Sequence, residues 1–463
     1  MTKIIDADRA RRTVTTEVDS VPVNSVAVTP VAKGLKALAW AGAVVVLTLV
    51  TWARLPEMTR RTVWAEDGGV FLRDVLSNGH LRSIALPYDG YLHVLPRVLA
   101  SAAHAVVPLQ GYAVAMSLMS CLVVALISVG VFHLSRCVSE SVSVRLMIAA
   151  IPVLLPIGPE EVLGNAANLH WYLLWLAPWL LLHKPKSRLV GGTMFVVAFV
   201  TAASEIITGM FLPLAIWTAI RRRNFAAPAG LLLGIILQVL TTLSKPRFTG
   251  PAPSDVADGW SVFLGFGLLP IGSIWYPDSR TLASNIVTFG AWSLLVPALL
   301  VLGLLAYTVV AGRRDLKIAA AGAFVASWIC WIASVVLSGN IMFTYARFAQ
   351  ADWAGFGYMR YAAAPAMFLL LLLPLAAAAA LERRRISRSA SALVAGFFLA
   401  FLMASYFPAT TFRQEGPVWA PGVDSARLAC QSDPALPSAA AVAAPAIWKF
   451  AQVHIPCQDL RRD

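Results

Sequence analysis

"LHVLPRVLASAAH", Leu92 to His104, is the stretch on which the topology of this chain turns. Apolar side chains recur at Leu92, Leu95, Val98, Leu99 and Ala102, the spacing of one helical face. The same stretch carries His93, Arg97 and His104. Counted as a span, it would invert every later loop and turn the arginine clusters outward. It is therefore read as an interfacial helix lying on the membrane.

Around that stretch the 463-residue chain is 58% hydrophobic, with a mean hydropathy of +0.71 and 13% charged residues, too apolar for a water-soluble protein. Apolar runs near 37–53, 112–134, 144–157, 171–183, 189–204, 206–220, 227–243, 286–311, 318–337, 361–381 and 390–407 predict an all-α polytopic membrane protein of about eleven transmembrane helices. The net charge of +13 does not point to nucleic acid, because no soluble basic domain is present to bind it. With the N-terminus inside, Arg136/Arg145, "HKPKSR", "RRRN", "GRRDLK" and "ERRRISR" place fifteen Lys and Arg in five cytoplasmic loops. The loops 158–170, 204–206, 245–285 and 338–360 hold five, so charge asymmetry predicts a multi-pass protein of the cytoplasmic (inner) membrane.

Residues 1–33 are polar and without periodicity, and read as a disordered cytoplasmic tail. The body is expected over 34–407 and an external C-terminal tail over 408–463. Cys430 and Cys457 both fall in that tail, where an oxidising compartment would let them form a disulfide worth roughly 3 kcal/mol; two unrelated thiols are the alternative. An external segment over 54–110 is predicted to hold two short helices, the first beginning at Val70, Phe71, Asp74 and Val75. The third to sixth spans are short in apolar length, and their missing length is polar, which predicts an outward-opening cavity over them.

Four external places carry chemistry. "WAEDGG" presents Glu66 and Asp67 at the membrane edge; Asp67 also suits a helix N-cap, which leaves Glu66 unexplained. "YDGYLHVLPR" puts His93 and Arg97 four residues apart on one helical face, fit for a phosphate or for lipid headgroups. "GPEEVLGNAANLHW" contains no Lys or Arg; if helical, it lines Glu161, Asn165 and Asn168 on one stripe with Glu160 and His170 nearby, suited to sugar hydroxyls or a divalent cation, or simply a solvated loop. "GYMRYAAAP" sets Arg360 and Tyr361 before a late span, where the guanidinium fork suits a phosphate and also suits snorkelling.

This layout of a first span, an external loop with paired acids, interfacial helices, short middle spans and a late "RY" resembles the glycosyltransferase C superfamily, whose members include protein O-mannosyltransferases and arabinofuranosyltransferases. The resemblance implies an inverting glycosyltransferase that takes a sugar from a polyprenyl-phosphate donor and gives it to a cell-envelope glycan, lipid or protein acceptor. It implies that an acid of the first external loop is the catalytic base or a metal ligand: Asp67 as base with Glu66 as partner. Arg360, Tyr361, Arg97 and His93 would hold the donor phosphate, and Glu160, Glu161, Asn165, Asn168 and His170 the sugar or acceptor. The chain has "LHVLPR" in place of the mannosyltransferases' His-Pro-Pro run, which leaves the sugar open. A transporter or flippase of a lipid-linked substrate is the alternative, since Glu66 and Glu205 also suit an ion path. Membrane lipid is an expected partner of either.

Overall fold

The computed structural model describes residues 30–245, 257–338 and 341–461. The chain divides into two compact units, Met1–Gly42 and Ala43–Asp463. Of the first, only residues 30–42 are described; they are helical, so the tail expected over 1–33 gives way to helix α1 (Pro30–Ala53) at Pro30, and the rest of that expectation lies outside the described residues.

The second unit is an all-α membrane body with two small hairpins. After α1 come α2 (Val94–Val106), α3 (Tyr112–Leu134), α4 (Val142–Leu154), α5 (Leu169–Leu182), α6 (Arg188–Ala202), α7 (Leu212–Arg222) and α8 (Ala226–Ser244). Then follow α9 (Gly259–Phe266), α10 (Ser279–Phe289), α11 (Leu295–Ala311), α12 (Arg314–Ser338), α13 (Ala363–Leu370), α14 (Leu372–Glu382) and α15 (Arg388–Met403). Helix occupies all eleven expected runs, and among the described residues six helices are long and apolar enough to cross a membrane. One apolar helix was not expected. Residues 259–275, read as loop, form α9, a π-helical turn over Gly267–Ile271 and a last turn to Trp275. Gly265, Gly267, Pro270 and Gly272 break the run into pieces too short to register as a span. Packing restores the helix: Asp258 accepts the Ser261 N–H as its cap at 2.8 Å, and the Trp331 indole donates to the Val262 carbonyl at 2.9 Å.

One end of the bundle is basic. Arg222 donates to the Leu182 carbonyl at 3.0 Å, Arg313 to Val138 at 3.0 Å, and Arg383 to Ala311 at 2.8 Å, while Arg313 pairs with Glu382 at 2.9 Å. These bonds close the C-terminal carbonyls of α5, α11 and the α3–α4 connection, and place cations where helix dipoles favour them.

At the other end the short helices stop early and give way to buried, irregular backbone. After α4, residues 155–168 are almost wholly buried and include a π-helical turn over Gly158–Val162; after α6, Glu205 caps a 3-10 turn over Ile206–Phe211 by accepting the Ile207 N–H at 2.7 Å. Arg54, fully buried, donates to the carbonyls of Val153 and Leu155 at 2.6 and 2.9 Å and to Tyr406 at 3.1 Å, satisfying carbonyls that α4 leaves open.

The segment between α1 and α3 holds helical turns over Asp67–Leu72 and Arg73–Asn78, a two-residue hairpin of β1 (Pro87–Tyr88) and β2 (Tyr91–Leu92), and α2. Gln238 of α8 fixes the hairpin by accepting the Leu92 N–H at 2.8 Å and donating to the Leu92 carbonyl at 3.0 Å. The tail folds as α16 (Trp419–Ser432) and a hairpin of β3 (Ser438–Val442) and β4 (Gln452–Pro456), with Cys430 and Cys457 joined.

Candidate functional site

The two acids of the opening loop face different partners. Both oxygens of Asp67 are taken up by backbone: Oδ2 accepts the Ala166 N–H at 2.9 Å and Oδ1 the Ala167 N–H at 2.8 Å. It caps no helix of its own, since no side-chain cap bond closes the turn it begins. Arg413, fully buried beyond α15, donates to the carbonyls of Leu163 and Gly164 at 2.9 and 3.0 Å, so residues 163–167 are gripped from both sides. Burial pushes the Asp67 carboxyl up to about 7 against the pull of the two N–H groups and Arg413.

Glu66 is the acid left available. Its side chain is 9% exposed; Oε1 lies 3.9 Å from Arg360 Nη2, and Oε2 is buried without any hydrogen-bond partner. A buried carboxylate oxygen without a donor is costly and marks a place where a ligand donor fits.

Arg360 is the centre of the cluster. Its backbone N–H donates to Glu161 Oε2 at 2.6 Å and its Nη1 to Glu161 Oε1 at 2.7 Å, so one carboxylate fixes both the main chain and the guanidinium. The guanidinium lies over the rings of Tyr361 and Trp448, 5.3 and 5.4 Å from their centroids, and remains 22% exposed. Burial raises the proton affinity of the Glu161 carboxyl, and Arg360 opposes that shift by favouring its charged form. Burial, then the charges of Asp278 and Glu161, hold the neighbouring Glu160 carboxyl well above the usual carboxylate range.

The other expected site residues sort into three groups. Asn165 and Asn168 do not form a stripe with Glu161, because the chain leaves the helix at Leu163; both donate to the Glu161 carbonyl, at 2.6 and 3.2 Å, and build the turn. Arg97 turns inward on α2, fully buried, bound to Asp74 at 2.9 Å and to the Ser83 carbonyl at 3.0 Å, under the Phe71 ring. It holds the segment between α1 and α3 together and presents no guanidinium to a phosphate. His93 is buried beside Tyr91, whose hydroxyl meets its Nε2 at 3.1 Å; burial, then His170, Arg97 and Arg360, lower its basicity well below the ordinary value. His170 bonds Glu205 through Nδ1.

Residues from the tail also enter. Trp448 and Phe450 lie at the tip of the β3–β4 hairpin: Trp448 packs edgewise on Trp64 at 4.8 Å and Phe450 on Tyr88 at 6.0 Å, and the Ala444 N–H donates to the Val63 carbonyl at 2.8 Å. This contact explains the "GG" after the acids. A Cβ on Gly69 would collide with the Phe450 carbonyl, and one on Gly68 would meet Val453 at 3.0 Å.

Among the described residues, no group of three or more His, Cys, Asp or Glu is placed to hold a metal ion. No family model matches the chain, and neither a curated protein nor a solved structure matches it.

Proposed function

We propose that the chain is a membrane glycosyltransferase that moves a sugar from a polyprenyl-phosphate donor to an envelope glycan, lipid or protein acceptor at the outer face of the cytoplasmic membrane. In this reading eleven helices cross, with the N-terminus inside and the C-terminus outside. One observation carries the reading: a buried carboxylate oxygen of Glu66 without a partner, beside a guanidinium that Glu161 holds rigid.

The acceptor hydroxyl gives its proton to Glu66 Oε2 as its oxygen bonds to the anomeric carbon. The bond from that carbon to the phosphate oxygen breaks, and the phosphate leaves with the electron pair toward Arg360. Asp67 exchanges roles with Glu66 relative to the sequence-based assignment: it positions the 163–167 turn and, through it, Glu161.

Protein in nanodiscs is incubated with labelled polyprenyl-phosphate sugars and envelope acceptors, with Glu66→Gln alongside. Transfer or slow donor hydrolysis that depends on Glu66 supports the reading; none with any donor rejects it. The His170–Glu205 pair also suits an ion path, which favours a transporter as the second reading, and that reading requires substrate movement without transfer.

A further inference from the structure

The cluster around Arg360 leaves one set of titratable groups unused. His170, at the start of α5, binds Glu205 through Nδ1, and the other Glu205 oxygen is fixed by the Ile207 N–H. A carboxylate that holds one imidazole nitrogen sets the tautomer and aims the other nitrogen at whatever lies beyond. Among the described residues His170 makes no other hydrogen bond, and its side chain keeps 13% exposure where Glu205 keeps 6%. The free nitrogen, Nε2, is therefore the working end.

A chain of ring contacts through Trp171 and Tyr361 links His170 to Arg360. The His170 ring lies 4.3 Å from Trp171; Trp171 meets Tyr361 at 6.0 Å, and Arg360 lies over Tyr361. His93 stands edgewise at 5.4 Å. Of the two histidines, only His170 has a carboxylate partner to balance a positive charge. His93 has none: its Nδ1 is buried without a partner and its Nε2 meets a tyrosine hydroxyl.

We propose that His170, held by Glu205, is the proton donor to the phosphate that Arg360 binds. The inference rests on the donor reading above. As the bond between the anomeric carbon and the phosphate oxygen breaks, the phosphodiester monoanion becomes a monoester with a second negative charge; the imidazolium Nε2 proton passes to that phosphate, leaving a hydrogen-phosphate monoanion and a neutral imidazole. Glu66 then holds the acceptor's proton and releases it to water, while His170 takes one from water. The cycle closes without net proton change.

The test is 31P NMR of neryl phosphate, a short polyprenyl phosphate, bound to the protein in maltoside micelles and titrated through the phosphate's second ionisation near pH 6. Loss of the imidazolium should raise the bound phosphate's midpoint by at least about 0.5 pH unit and weaken binding roughly tenfold in His170→Gln. Glu205→Gln should shift the midpoint the same way, because the ring is no longer held with Nε2 turned toward the phosphate. A phosphate that binds in an Arg360-dependent way but titrates alike in parent, His170→Gln and Glu205→Gln would overturn the role of His170 and leave the donor reading standing. Failure of the parent to bind neryl phosphate would overturn both. Each variant is first checked for the parent's melting temperature, and the Glu205 variant carries the test if His170→Gln does not fold.

Discussion

Removing the Asp67 carboxylate should cost stability before it costs chemistry. Asp67→Ala leaves the Ala166 and Ala167 N–H groups buried and unsatisfied, each worth about 1–3 kcal/mol, so the turn loses about 2–6 kcal/mol. Asp67→Asn keeps one acceptor and sets an amide donor against the second N–H, for about half that loss. The parent also carries a pH signature. The unfolded carboxyl releases its proton near 3.8 while the folded one holds it to about 7, so the folded state binds the extra proton in between. Stability therefore falls as pH rises from about 4 to 7 and levels off above, by at most on the order of 4 kcal/mol. Thermal unfolding in micelles at pH 5 to 8 measures both effects, and Asp67→Asn should lose the slope. An Asp67→Ala protein that melts with the parent, or an Asp67→Asn protein of parental stability whose turnover has collapsed, would refute the positioning role and return Asp67 to the chemistry.

Glu66→Gln should insert, fold and bind donor while its turnover falls about 10²–10⁴-fold, read in a single-turnover assay. Arg360→Ala strands a buried Glu161 carboxylate and should destabilise by about 3–5 kcal/mol, whereas Arg360→Ala with Glu161→Gln should recover much of that loss in a double-mutant cycle. Reducing Cys430–Cys457, which are 27 residues apart, should cost the tail about 3.5 kcal/mol and show first as faster amide exchange in the β3–β4 hairpin. An impermeant thiol reagent should label Ile447→Cys, on an exposed loop, in intact cells and spare Arg223→Cys; the reverse pattern would put the acid end inside.

Apolar periodicity and charge asymmetry made the helical body and its basic end legible, because the bilayer reading imposes both directly on residue type. Three of the four stretches singled out for their chemistry supply the cluster: Glu66, Glu161 and Arg360 with Tyr361. What stayed hidden depends on long-range contacts. Nothing in "EDGG" tells which acid will be claimed by the Ala166 and Ala167 backbone, and Arg97 and Arg360 look alike until Asp74 takes one of them. Asn165 and Asn168 have helical spacing, yet the chain turns at Leu163 under the grip of Arg413, for which no local signal exists. Glu205 was visible as an isolated acid between apolar runs, but its histidine lies thirty-five residues upstream.

The approach of the β3–β4 hairpin to Gly68 and Gly69 also sets an order of events during synthesis. The ribosome delivers the acids well before Arg413, Trp448 and Phe450, which follow α15 in the chain. A nascent chain holding donor lipid would have its acids but neither the clamp on the 163–167 turn nor the aromatic tip over Arg360. In the proposed reading the site is therefore complete only once the segment after α15 has docked, and a chain cut just beyond α15 should insert without transferring sugar.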